Sequence, residues 1–205
     1  MFERQETAVS DNSKTGRPRD PDLERRVFDA AVDIFGTRGW AKFSIETVAR
    51  QASVGKASIY LRWPNKTTLL QDAIEDRIAV VATQDSGDIR TDLLELARHT
   101  MGLYLGSAGR AIFRMAIEGN TIPGVTDKFA EFRDSQTLAA RDMVRRAIAR
   151  GELPADTSVT LLLETLLGAI ILHTLSTPKS LDDEVRAHSE EYARTLVDHV
   201  LGSMR

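Results

Sequence analysis

Between Ser44 and Leu70, two short amphipathic stretches are tied together by Ser53-Val54-Gly55. So short a tie makes the two helices pack on each other at a steep angle. The first stretch, Ser44 to about Gln51, sets Ile45, Val48, Ala49 and Ala52 at helical spacing, and the Ser44 hydroxyl is suited to cap it. The tripeptide then places a small apolar plug between two turn-prone residues. The second stretch, Gly55 to about Leu61, turns Val54, Ile59 and Leu61 inward and leaves Lys56, Ala57, Ser58 and Tyr60 outward. Small side chains at Gly55, Ala57 and Ser58 let such a helix approach the floor of a DNA major groove. Lys56, Tyr60 and Lys66 are placed for flanking phosphates and Thr47 and Ser58 for the groove itself, with Ser44 counted among the DNA-contacting residues. An ordinary pair of packed helices is the other reading of this pattern.

The flanks supply a scaffold. Asp20-Pro21 reads as an N-cap followed by proline at the first helical position. Leu23, Val27, Ala30, Ala31, Ile34 and Phe35 then recur at spacings of three and four, and Gly39 closes that helix. Pro64 stops the second short helix, and Asn65 can cap a fourth from about Lys66 to Val81. From residue 14 to 70 there are 11 basic and 6 acidic side chains, a net of +5. The whole chain stands at −3, so the remainder carries −8. A basic end on an acidic body fits contact with phosphate at one end only.

The run A-S-V-G-K-A-S-I-Y-L-R-W-P-N-K-x-x-L-L, residues 52–70, resembles the signature of the tetracycline-repressor (TetR) family of bacterial regulators. That signature reads A-G-V-S-x-G-x-L/I-Y-x-H/Y-F-x-S/N-K-x-x-L. Val54, Ile59, Tyr60, Asn65, Lys66 and Leu69 match in place. Trp63 stands for the usual Phe, Ser53 and Gly55 exchange the usual Gly and Ser, Ala57 replaces a Gly, and Leu61 stands where a polar residue is common. The resemblance covers roughly the first third of the chain. It implies a dimeric, all-α regulator with an N-terminal DNA-reading head and a C-terminal body for ligand binding and dimerisation. It also implies a double-stranded operator, an inverted repeat, and release by a small molecule. The polar segment 1–19 ends in Lys14-Thr-Gly-Arg-Pro-Arg19, similar to the basic arms of that family, whose Arg17 and Arg19 could enter a minor groove. A merely solubilising segment is the alternative.

The expected organisation is a flexible arm over 1–19, a head over 20–82 with its helix-turn-helix at about 44–63, and a body over 83–205. After Thr83 the periodicity predicts helices over 89–106, 108–118, 125–150, 156–176 and 181–204, nine in all with the head, and no segment alternates as a strand would. The run from Val159 to Leu175 is apolar nearly all round. Such a helix needs covering on every side, which places Leu162, Leu166 and Ile170, with Tyr192, Leu196 and Val200 of the last helix, at a homodimer interface. A fully internal helix is the rival. Candidate lining for an effector cavity is His99, Leu103, Tyr104, Phe113, Met115, Ile117, Phe129, Phe132, Leu166, Ile170 and His173, against a reading of plain core. His99, Tyr104 and His173 are its polar anchors, since an unpartnered buried polar group costs about 1–3 kcal/mol.

Catalysis finds no support. There is no cysteine, phosphate loop or H-E-x-x-H pair, and the four histidines lack ligand spacing. No cofactor or metal is expected. No leader-like apolar segment lies in 1–19, and no run is read as the ~18 apolar residues of a membrane span, so the expectation is a cytoplasmic protein without membrane contact. The alternative of another class is an all-α dimeric binding or scaffold protein that has lost DNA binding. A salt-sensitive shift of a duplex from upstream of its own gene would exclude it.

Overall fold

In the computed structural model, residues 22–77, 85–122, 124 and 126–204 are described. They form ten α-helices and, among the described residues, no strand. Helix α1 (Leu23–Arg38) buries Leu23, Val27, Ala30, Ala31, Ile34 and Phe35, the face its spacing predicts. Asp22 holds the N-cap position and pairs with Arg25 at 3.4 Å; Asp20 and Pro21 lie outside the described residues. Gly39, at φ 74°, closes the helix in a conformation open to glycine, and a 3-10 turn over Trp40–Lys42 follows.

Helices α2 (Ile45–Ala52), α3 (Lys56–Tyr60) and α4 (Lys66–Arg77) complete the head. Trp63 is buried beside the Phe28 ring, and its indole N–H donates to Asp72 at 3.0 Å, fixing α3 to α4. Asn65 caps α4 by accepting from the Thr68 amide at 2.9 Å. The expected continuation of α4 to Val81 lies outside the described residues.

The body comprises α5 (Ile89–Leu105), α6 (Ser107–Glu118), α7 (Thr126–Arg150), α8 (Val159–Ser176), α9 (Asp182–Ala187) and α10 (Ser189–Gly202). The single last helix expected over 181–204 is divided at His188. There the imidazole Nδ1 lies 2.9 Å from the Glu184 carbonyl, and the Ser189 hydroxyl donates to the Arg186 carbonyl at 2.8 Å. Such local side-chain bonds compete with the helical ladder.

Two apolar cores result. One lies among α5, α7, α8 and α10, with Leu93, Ala97, Met143, Val144, Leu162, Leu166, Ile170, Val197 and Val200. The other fills the head, yet it includes Ala111 and Met115 of α6 and Ile122 beyond it. Helix α6 therefore lies directly on α1, and Gly36 is a point of close approach. A Cβ there would stand 3.0 Å from the Ala111 amide nitrogen.

Helix α8 departs from expectation in two ways. Its 18 residues have a mean hydropathy of 1.8, long and apolar enough by composition to cross a membrane, although the sequence reading recognised no such run. Its inner face (Leu162, Leu163, Leu166 and Ile170) is buried in the body core, while Leu161 and Leu172 are 57% and 68% exposed.

Candidate nucleic-acid interface

The geometry of the helix-turn-helix begins at Ser44. Its hydroxyl accepts from the Thr47 amide at 3.2 Å, and Thr47 Oγ1 accepts from the Ser44 amide at 3.2 Å, a reciprocal capping box that starts α2. Thr47 also donates to the Ser44 carbonyl at 2.8 Å, so both hydroxyls are already engaged in the cap. Helix α2 ends at Ser53, whose backbone is left-handed (φ 56°, ψ 44°), and the Val54 amide closes back on the Ala49 carbonyl at 3.0 Å. This sharp reversal aims α3 away from α2. Ile59 anchors α3 in the core with no exposed surface.

What α3 leaves outside is Lys56, Ala57, Tyr60 and Leu61, with Ser58 half-buried. Tyr60 is 55% and Leu61 87% exposed; Leu61 was expected to turn inward and does not. It follows the last residue of α3, beyond the turn that Ile59 anchors. Lys56 is not a free cation. Its ammonium is paired with Glu46 of α2, whose carboxyl is pulled below the usual range by the Lys56 hydrogen bond and charge. Glu46 escaped the sequence reading. Its only signal is an acid and a base in the first turns of two helices three residues apart.

Lys66 is engaged differently. Its ammonium donates to the carbonyls of Trp40 at 3.2 Å and Phe43 at 3.1 Å and sits 3.8 Å from the Trp40 ring centroid. These bonds hold the segment just before Ser44 and so position α2. The same segment is gripped from the body. Glu118 of α6 accepts from the Trp40 amide at 3.1 Å, and Arg114 donates to the Gly36 carbonyl at 3.2 Å and to Glu118 at 2.5 Å. The Trp40 amide and Arg114 together hold the Glu118 carboxyl below its ordinary value. Arg17 and Arg19 lie outside the described residues.

The expected effector-lining residues do not form one set. Half-buried on α5, His99 has a buried Nε2 without a hydrogen-bond partner among the described residues. Leu103 and Tyr104 are half-buried on the same helix, and burial raises the Tyr104 hydroxyl. His173 stacks on Tyr192 of α10, ring centroids 4.1 Å apart. Leu166 and Ile170 belong to the body core. By contrast, Met115 packs in the head core, and Phe113 and Ile117 are exposed, so these three are not on a face shared with His99. Helix periodicity cannot separate the α1-facing side of α6 from a cavity-facing one. The side chains of Phe129 and Phe132 fall outside the described residues.

The six residues expected at a dimer interface divide by burial. Leu162, Leu166, Ile170 and Val200 are each fully buried within the subunit, and only Tyr192 and Leu196 keep partial exposure. The outward stripe of α8 is instead Leu161, Thr165, Gly168, Leu172 and Leu175. An all-round apolar helix hides which face is inner. Among the described residues no group of three or more His, Asp or Glu is placed to hold a metal.

A capped, Ser53-turned helix pair with an exposed second helix, mounted on a helical body, defines a helix-turn-helix regulator. Comparison with known proteins gives the family. Residues 27–73 match Bacterial regulatory proteins, tetR family, and residues 83–200 match the Tetracyclin repressor-like, C-terminal domain. The chain belongs to the TetR family of transcriptional regulators, which carry a DNA-binding and a ligand-binding domain and are not enzymes. It is 29% identical over 195 residues to the uncharacterized HTH-type transcriptional regulator YdeS of Bacillus subtilis, covering 90% of this chain and 91% of that one. In fold it resembles the fatty acid degradation regulator FadR of Bacillus halodurans, with a TM-score of 0.66, 15% identity and coverage of 92% and 99%. It likewise resembles AibR, solved in complex with isovaleryl coenzyme A and operator DNA, with a TM-score of 0.69, 17% identity and coverage of 87% and 98%.

Proposed function

We propose that this chain is a homodimeric cytoplasmic repressor that occupies an inverted-repeat operator and leaves it when a small molecule binds the body. The observation that carries this reading is the exposed edge of α3, where Lys56, Ala57, Tyr60 and Leu61 stand clear of a head whose core is complete beneath them. Lys56 and Tyr60 hold phosphates, Ala57 and Ser58 approach the bases, and Arg17 and Arg19 serve the minor groove. Ser44 and Thr47 present the capped start of α2 to the backbone. Lys66 acts mainly by fixing the Trp40–Phe43 segment.

The partner subunit covers Leu161, Gly168, Leu172 and Leu175 of α8, flanked by Tyr192 and Leu196 of α10. Dimerisation sets the two α3 helices about one DNA turn apart, ~34–36 Å, or a multiple of it. The effector is mostly apolar with one or two hydrogen-bonding groups. His99 Nε2 is its first anchor, with Leu103 and Tyr104 beside it. Occupancy of the body moves α6, and the Arg114–Glu118 grip carries that movement to the start of α2.

The test is gel-shift titration of a duplex from upstream of the protein's own gene. Lys56→Ala and Tyr60→Ala are expected to weaken binding on every sequence, as the loss of a phosphate contact does. Binding by the native chain that ignores salt, or the absence of binding, would leave a helical dimer without DNA function.

A further inference from the structure

Glu46 is the one acidic residue of α2 and α3, and its carboxylate is bonded to Lys56, the cation assigned above to operator phosphate. Both side chains are more than half exposed, at 65% for Glu46 and 54% for Lys56, so DNA can reach either. An ion pair so exposed contributes little to holding the fold. The head core beneath the two helices is complete without it. Its consequence is electrostatic and falls on the surface that meets DNA.

We propose that Glu46 is a built-in competitor of operator phosphate. In the free protein its carboxylate occupies the Lys56 ammonium, and docking requires a phosphate to displace it. This rests on the DNA-binding function proposed above and goes beyond it, because it assigns the set-point of affinity to a residue that contributes no attraction to DNA. An exposed ion pair that must be broken before a phosphate can take its place opposes binding roughly two- to threefold per head, hence roughly three- to tenfold for a dimer with two heads. The competitor acts alike on all sequences. It therefore suppresses the non-specific binding that a head of net positive charge otherwise shows on bulk DNA.

The test compares the full-length native chain, Glu46→Gln, Lys56→Ala and the double variant. Each is titrated with the duplex from upstream of its own gene and with an unrelated duplex of equal length, over a salt series. Glu46→Gln is expected to bind both duplexes about three- to tenfold tighter near ~0.15 M salt, with a log–log salt slope steeper by up to ~0.9 per head. In the Lys56→Ala background the same change gives a smaller gain, because the contested cation is gone. Unchanged or weaker binding by Glu46→Gln overturns the proposal. So does a gain that is undiminished in the Lys56→Ala background. Tightening on one duplex only would make Glu46 a base-reading residue and equally overturn it. If the native chain binds neither duplex in a salt-dependent way, the DNA-binding reading itself falls.

Discussion

At Ser53 the backbone passes through φ 56°, a conformation that costs an L residue roughly 1–2 kcal/mol. The family pattern has glycine at this place, and the geometry supplies the reason. The residue must be left-handed for the Val54 amide to reach the Ala49 carbonyl. Ser53→Gly is therefore expected to stabilise the chain by about 1 kcal/mol, a rise in Tm of roughly 2–4 °C for a protein of this size. Thermal unfolding followed by circular dichroism checks this, and a lower Tm would mean that the serine hydroxyl matters more than the backbone. The exchange of Gly and Ser was visible in the sequence; its cost was not, because that depends on a dihedral angle. Lys66 shows the same limit. Its place in the motif was legible, but its partners, the Trp40 and Phe43 carbonyls, precede it by more than twenty residues.

Helices whose apolar residues occupy one face were legible in both extent and orientation, as α1 and α2 illustrate with their buried sets. Helix α8 was legible in extent alone. With leucine and isoleucine on every side, only packing against α5, α7 and α10 decides that Leu166 faces in and Leu172 faces out. The joint between α9 and α10 was missed because the local bonds at His188 and Ser189 leave no break in apolar spacing. Helix α10 is also fastened to α5 by two exposed pairs, Arg98–Glu190 and Arg90–Asp198. Arg98, with Arg194 behind it, pulls the Glu190 carboxyl from 4.5 to about 2. A carboxyl whose folded value is depressed stabilises the fold above its unfolded value and loses that contribution as pH falls toward the folded one. Acid unfolding of the native chain should thus show a loss of stability between about pH 4.5 and 2 that Glu190→Gln reduces. Denaturant titrations at several pH values measure it, and identical acid limbs for the two proteins would contradict it.

For the molecule as a whole, the faces of α8 give opposite expectations for neighbouring leucines. Light scattering should return about twice the 22.7 kDa chain mass. Leu172→Glu, on the outward stripe, should yield a folded monomer with unchanged helical content. Leu166→Ala, on the inward face, should instead cost about 2–5 kcal/mol of stability. A dimer that survives both Leu161→Glu and Leu172→Glu would move the interface elsewhere.

The seam between α1 and α6 has a practical bearing on recombining regulators of this kind. A designer who wanted this head on another protein's body would cut the chain between α4 and α5, where composition changes. Such a graft would leave Ala111, Met115 and Ile122 behind and strip the head core of one wall. Gly36 would then lack the backbone it is shaped to meet, the one whose Ala111 amide nitrogen would lie 3.0 Å from a Cβ at this position. A working chimera has to carry α6 with the head, or redesign it to fit. The portable unit of this protein is thus discontinuous in sequence, and the DNA-binding head travels with a piece of the ligand-binding domain.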